Sequence, residues 1–166
     1  MRYDTSLRFN GDPSAALEGA IAPLTALGFR IVERGPTSID FAGPGMNSSR
    51  QSALLGATRI RLIGRAQELA LEAELGGVEF MSKFVRYFPL GLSAVLFIVL
   101  ALVFSIQFGD RMGTWWLWPL GIAVGANMLM WLLLGPWMAR RMKARTCEAL
   151  DALLNNIAVL GGMPST

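Results

Sequence analysis

"WLLLGPWMARRMKAR" (residues 131–145) passes from an apolar run through one Gly-Pro pair into four cations within six residues, Arg140, Arg141, Lys143 and Arg145. Such an abrupt stop is what a membrane span needs at a cytoplasmic surface, because Lys and Arg resist translocation and favour an anionic leaflet. Upstream, residues 88–108 and 115–138 contain no Asp, Glu, Lys or Arg. At 21 and 24 residues, both exceed the roughly 20 that a helix needs to cross about 30 Å of hydrocarbon. Two transmembrane helices are predicted, forming a hairpin over residues 88–138. A buried hairpin in a soluble protein is disfavoured, since core helices of that length normally keep a polar face.

Orientation follows from the flanks. Lys83 and Arg86 precede the first span, the four cations follow the second, and the short GDRMGT connection carries one acid and one base. Trp115, Trp116, Trp118 and Trp137 lie at the ends of the second span, where amphipathic rings prefer the headgroup layer. "MRYDTSLRF" at the start lacks the apolar run of a cleavable signal peptide. The expected location is the bacterial inner membrane, with both termini cytoplasmic. Within the hairpin, Gly121 and Gly125 form a small-xxx-small pair, Asn127 is an interhelical hydrogen-bonder, and Ala94, Ala101 and Ser105 give the first span a small-residue seam. Neither span carries an ionisable group, which a proton or ion path usually needs.

Residues 1–75 read as an α+β domain. Residues 2–9 alternate, with Tyr3, Thr5, Leu7 and Phe9 on one side of a strand. Asp12 caps a helix with Pro13 at its first position, burying Leu17, Ile21, Leu24 and Leu27, bent at Pro23 and ending at Gly28. "FRIVER", "TSIDFA", "ATRIRLI" and "ELALEAE" follow as strands, the first two joined at Gly35-Pro36 and the last two by a turn around Gly64-Arg65. That turn sets Leu62 opposite Leu69, Ile60 opposite Leu71 and Arg59 opposite Glu72. The expected fold is therefore β-α-β-β-β-β, a mostly antiparallel sheet with one helix on its buried face. A linker over residues 76–87 leads to the hairpin. An amphipathic helix at 139–160 follows it, with Met142, Cys147, Leu150, Leu153, Leu154, Ile157 and Leu160 on one side, and 161–166 form a flexible tail. The face made by Leu150, Leu153, Leu154 and Ile157 needs a partner: the protein's own sheet, the membrane surface or another subunit.

Composition excludes several classes of function. The chain has 166 residues, about one domain's length; its 53% hydrophobic content and positive mean hydropathy of +0.44 are both high for a soluble domain. Residues 1–75 hold eight Arg and eight acids, so nucleic-acid binding is not expected. There is no histidine, hence no Ser-His or Cys-His pair and no imidazole ligand. Cys147, the single thiol, reads as a small buried hydrophobe. Glu72 and Glu74, beside strand arginines, read as a solvated sheet face rather than an acid/base pair. No enzyme activity, metal or cofactor is expected.

One stretch invites a site. "GPGMNSSRQSALLG" (43–56) is a long irregular link, in which Gly43, Gly45, Asn47, Ser48, Ser49 and Arg50 offer amides, hydroxyls and a guanidinium to a small anionic ligand, or serve as a docking loop. It lacks the Gly-Lys-Ser/Thr ending of a P-loop. Two readings result. The leading one is a non-catalytic accessory subunit that anchors or stabilises a larger inner-membrane assembly, for instance a respiratory or photosynthetic one, in contact with lipid and other integral-membrane subunits. The alternative is a membrane-tethered sensor that binds a small anion through residues 43–50.

Overall fold

The computed structural model describes residues 1–46, 48, 51–112, 115 and 117–162, the side chains of 108–112 excepted. The chain divides into two compact units, one built from Met1–Met81 together with the chain from Arg141 on, the other from Ser82–Arg140.

In the first unit the elements are β1 (Arg2–Arg8), α1 (Pro13–Ala26), β2 (Arg30–Arg34), β3 (Ser38–Ala42), a 3₁₀ turn at Ala53–Gly56, β4 (Arg59–Arg65) and β5 (Glu68–Glu74). The strands make one sheet in the order β1-β5-β4-β3-β2, with every neighbouring pair antiparallel. Local chemistry explains α1. The Asp12 carboxylate accepts from the Ser14 amide at 2.9 Å and from the Ser14 hydroxyl at 2.7 Å, Pro13 opens the helix, and Gly28 at φ +87° ends it. The helix runs through Pro23 to Ala26, and it buries Ala16, Leu17, Ala20 and Leu24, while Ile21 and Leu27 stay half-buried.

The two faces of the sheet differ as period-2 alternation requires. Ile39, Phe41, Ile60, Leu62, Leu69 and Leu71 are all buried on one face. Arg59, Arg61, Arg65, Glu72 and Glu74 are exposed on the other.

The β4–β5 register corrects the sequence-based expectation by two residues. Leu62 pairs with Leu71, Ile60 with Ala73, Arg59 with Glu74 and Arg61 with Glu72. The turn falls at Ala66-Gln67, and Gly64 is a strand residue opposite Leu69. The cause is packing, not turn chemistry: a Cβ on Gly64 would lie 2.8 Å from the Pro13 side chain, so glycine marks the place where α1 approaches the sheet. A two-residue shift preserves side-chain parity, which is why the face assignments survive it.

Two long helices complete the chain, α2 (Gly76–Met112) and α3 (Leu117–Gly162). Both are long and apolar enough to cross a membrane. The expected linker at 76–87 is helical, the first part of α2, and Val78 and Met81 there are buried. Of the expected tail, Gly161 and Gly162 belong to α3 and Gly161 is buried, while residues 163–166 lie outside the described residues.

The last part of α3 belongs to the sheet-bearing unit. Leu150, Leu153, Leu154 and Ile157 are buried there, together with Thr146, whose hydroxyl donates to the Met142 carbonyl at 3.1 Å. Gly161 sits against Ala16 and Phe9, its carbonyl accepts from the Asp12 amide at 3.1 Å, and Thr146 lies beside Gly56 and Val78. The face that required a partner therefore has one within its own chain. Leu160, expected on that side, is about half exposed, because it rides beside Gly19 at the rim.

A polar clasp fixes the same contact. The Tyr3 hydroxyl of β1 donates to Asp151 of α3 at 2.7 Å, and burial, reinforced by that carboxylate, pushes the tyrosine pKa from 10.0 up to about 12. A raised acid pKa means that the folded state holds the neutral phenol. The stabilisation is thus fully present below about pH 10 and is lost as pH climbs through about 12. Tyr3→Phe should cost about 1 kcal/mol at neutral pH, and the gap between wild type and variant should close between pH 10 and 12. Thermal unfolding in detergent across pH 8–12 checks this; parallel curves throughout would contradict the clasp.

Candidate functional site

Three regions carry chemistry or uncovered surface: the polar face of the sheet, the loop after β3 and the surface of the two long helices.

On the polar face, β3 places Asp40 beside β4, where Arg59 donates to Oδ2 at 2.9 Å and Arg61 approaches Oδ1 at 3.2 Å. The two arginine stems cover the carboxylate, leaving it 5% exposed. With Arg2, Asp4, Glu72 and Glu74 they line an open depression of about 390 Å³. Its four acids and three arginines nearly cancel, and both Asp40 oxygens are engaged. The triad is suited to holding β3 against β4. Glu72 and Glu74 stand on this solvated face, as their strand pattern implies. Asp40 is absent from the sequence-based candidates; its signal is a lone acid in the β3 alternation, opposite Arg61.

The loop after β3 turns several groups inward. The Gly43 amide donates to the Thr58 carbonyl at 2.8 Å, Met46 is buried, and Gly45 is half-buried. Ser48 is exposed and is tied back locally, its amide donating to Gln51 Oε1 at 3.1 Å. Asn47, Ser49 and Arg50 lie outside the described residues. The Ala53–Gly56 turn then lies against the start of α2, so close that a Cβ on Gly77 would stand 2.7 Å from the Leu55 carbonyl oxygen. The described part of this loop serves the joint between β3, β4 and α2.

In the second unit the helix seam differs from the small-residue expectation. Gly121 and Gly125 are exposed, and a Cβ on either would meet nothing within 4 Å. Ala94 and Ser105 are also exposed, and Ala101 is half-buried. Asn127, expected as an interhelical hydrogen-bonder, does bridge the helices: its Nδ2 donates to Ser93 Oγ at 2.7 Å, while that hydroxyl donates to the Pro89 carbonyl at 2.8 Å. One turn-pair further, Gly135 admits the backbone of Arg86, whose Cα lies 3.6 Å from a would-be Cβ. A polar pair, which loses more by facing hydrocarbon than glycine does, decides which stripe turns inward.

The residues expected as interfacial anchors are exposed wherever described: Lys83, Arg86, Arg140, Arg141, Lys143 and Arg145, with Trp115, Trp118 and Trp137. Trp116 lies outside the described residues. Arg86 rests 5.6 Å over the Tyr87 ring, and Phe84 stacks on Phe88 at 4.7 Å. Cys147 is half-buried, and burial pushes its thiol pKa up, which disfavours the reactive thiolate.

Residues 50–146 match the family described as Domain of unknown function (DUF4149), and since this is more than half of the chain, the chain belongs to that family. The matched stretch runs through β4, β5 and α2 and into α3. No curated protein and no solved structure matches the chain.

The seam makes a contrast that detergent melting can read. Asn127→Leu should destabilise the protein by about 0.6–1.7 kcal/mol, the scale of interhelical hydrogen bonds in membranes, whereas Gly121→Leu should leave stability unchanged. A costly Gly121→Leu beside a silent Asn127→Leu would return the seam to the glycine face.

Proposed function

We propose that this chain is an integral-membrane protein of the bacterial inner membrane, non-catalytic, which acts as an accessory subunit anchoring or stabilising a larger membrane assembly. The observation that carries the reading is where apolar surface is left uncovered. The sheet-bearing unit closes its own core with the end of α3. In the most apolar stretches of α2 and α3, by contrast, only 6% and 0% of the residues are buried. Surface of that kind suits lipid tails and neighbouring helices, and it is costly in water.

Connectivity supports a hairpin with both ends on one side. The chain before Met81 and the chain after Arg141 belong to one compact unit, which a single crossing between them would split across the bilayer. Two crossings keep the unit whole, and the cations at Lys83, Arg86 and Arg140–Arg145 favour the cytoplasmic side for it. In the loop at 43–50, the site of the alternative sensor reading, the Gly43 amide donates to the Thr58 carbonyl and the Ser48 amide to Gln51 Oε1.

Two measurements test the reading. In a Cys147→Ser background, a cysteine placed in the 109–114 connection should react with an impermeant maleimide from the periplasmic side, and one placed at Thr37 should not; the reverse pattern would overturn the topology. Mild solubilisation followed by native separation should show other integral-membrane subunits co-migrating in fixed stoichiometry. A lone monomer whose melting shifts with a phosphorylated or carboxylated metabolite would favour the sensor instead.

A further inference from the structure

Resting on the membrane reading above, we infer that the groove between α2 and α3 is a binding site for one anionic phospholipid, with an acyl chain along the groove and its headgroup at Arg86.

The groove encloses about 360 Å³, at the small end of the roughly 300–1,000 Å³ of ligand clefts. Phe84, Phe88, Leu92 and Leu96 line it from α2, and Trp131 and Met138 from α3. All belong to the one unit Ser82–Arg140. Ser93 and Asn127 also line it, joined by the Asn127 Nδ2 to Ser93 Oγ bond, with the Ser93 hydroxyl donating to the Pro89 carbonyl; they are the two polar side chains in an otherwise apolar lining, so the surface offered is mainly hydrocarbon. A water-soluble polar ligand has little to bind there.

Length and charge choose the occupant. From Phe84 to Leu96 is twelve helical steps, about 18 Å, close to half of a roughly 30 Å hydrocarbon layer. The slot therefore matches one leaflet's acyl chain rather than a transmembrane helix crossing the whole bilayer. Its two ends are unlike. Leu96 lies toward the middle of the apolar run. At the other end Arg86 stands one heptad from Ser93 on the same stripe of α2, with its backbone against Gly135 of α3. Residues 80–109 contain no acid, and neither do residues 111–147, so the chain next to Arg86 on α2 carries no carboxylate that would neutralise it. Long cationic side chains at that depth extend to the headgroup layer, and Arg presents a planar fork to a phosphate. The complementary headgroup is a phosphate without a compensating cation, which separates phosphatidylglycerol from phosphatidylcholine of the same chains.

The test is native mass spectrometry of the full-length protein, purified in mild detergent and supplied with either lipid. The wild type should retain one phosphatidylglycerol per chain in preference to phosphatidylcholine. Arg86→Gln should lose that preference about fivefold, the scale expected for one juxtamembrane cation. Leu92→Trp keeps every charge but fills the slot from an exposed position, and it should abolish the single tightly held lipid. No headgroup preference in the wild type would overturn the site. So would retention unchanged in Leu92→Trp, which would assign the preference to the surface cations alone, or a groove found occupied by a partner helix. Resistance of the wild type to alkaline extraction from membranes scores the membrane reading separately, so a protein that stays in the bilayer yet shows no lipid preference loses only the site.

Discussion

The burial of Leu150, Leu153, Leu154 and Ile157 joins the two ends of the chain, and the remaining architecture follows from it. Each such side chain contributes about 1.5–3 kcal/mol when withdrawn from water, an upper bound given residual burial in the unfolded chain. The Tyr3–Asp151 bond and the approach of Gly161 to Ala16 fix the orientation of that contact. Because the segment arrives only after α2 and the apolar part of α3, those two stretches are an insertion into a domain that is completed last. In the proposed membrane reading, a domain closed in this way places an even number of crossings between its parts, and the flanking cations favour the cytoplasmic side for it.

Closing the domain also defines what is left for function. The apolar face of the sheet is occupied, and the polar face is a mesh of balanced charges in which Asp40 is held by two guanidiniums. What stays uncovered is the bulky surface of α2 and α3, with aromatic rings and cations gathered toward the ends of the apolar runs. The proposed accessory role in a membrane assembly and the proposed lipid site between the helices both draw on that surface.

Much of this was legible in the sequence wherever a signal is local. Alternation identified all five strands, Asp12-Pro13 and Gly28 bounded α1, and charge-free runs identified the two long apolar helices. Signals that depend on a distant partner misled. Gly64 looks like turn chemistry until Pro13 is seen against it, which moved the β4–β5 register by two residues without changing faces. Gly121 and Gly125 have the spacing of a packing motif but, among the described residues, a Cβ there would meet nothing within 4 Å, whereas Asn127, expected from the sequence, finds Ser93 as its partner. The amphipathic helix announced that it needed a partner without choosing between the protein's own sheet, the membrane surface and another subunit. Thr146 and Asp40, both buried, were missed because a polar residue inside an alternating or helical pattern does not show whether its partner lies across the fold.

Hydrogen exchange of the full-length protein in detergent, resolved by mass spectrometry, addresses the joining contact directly. If residues 146–157 are part of the domain core, their amides should be protected as strongly as those of β4 and β5, and both should lose protection together as denaturant is raised. Exchange of 146–157 at the rate of a frayed, undocked helix while the sheet stays protected would contradict the account, and with it the argument for an even number of crossings.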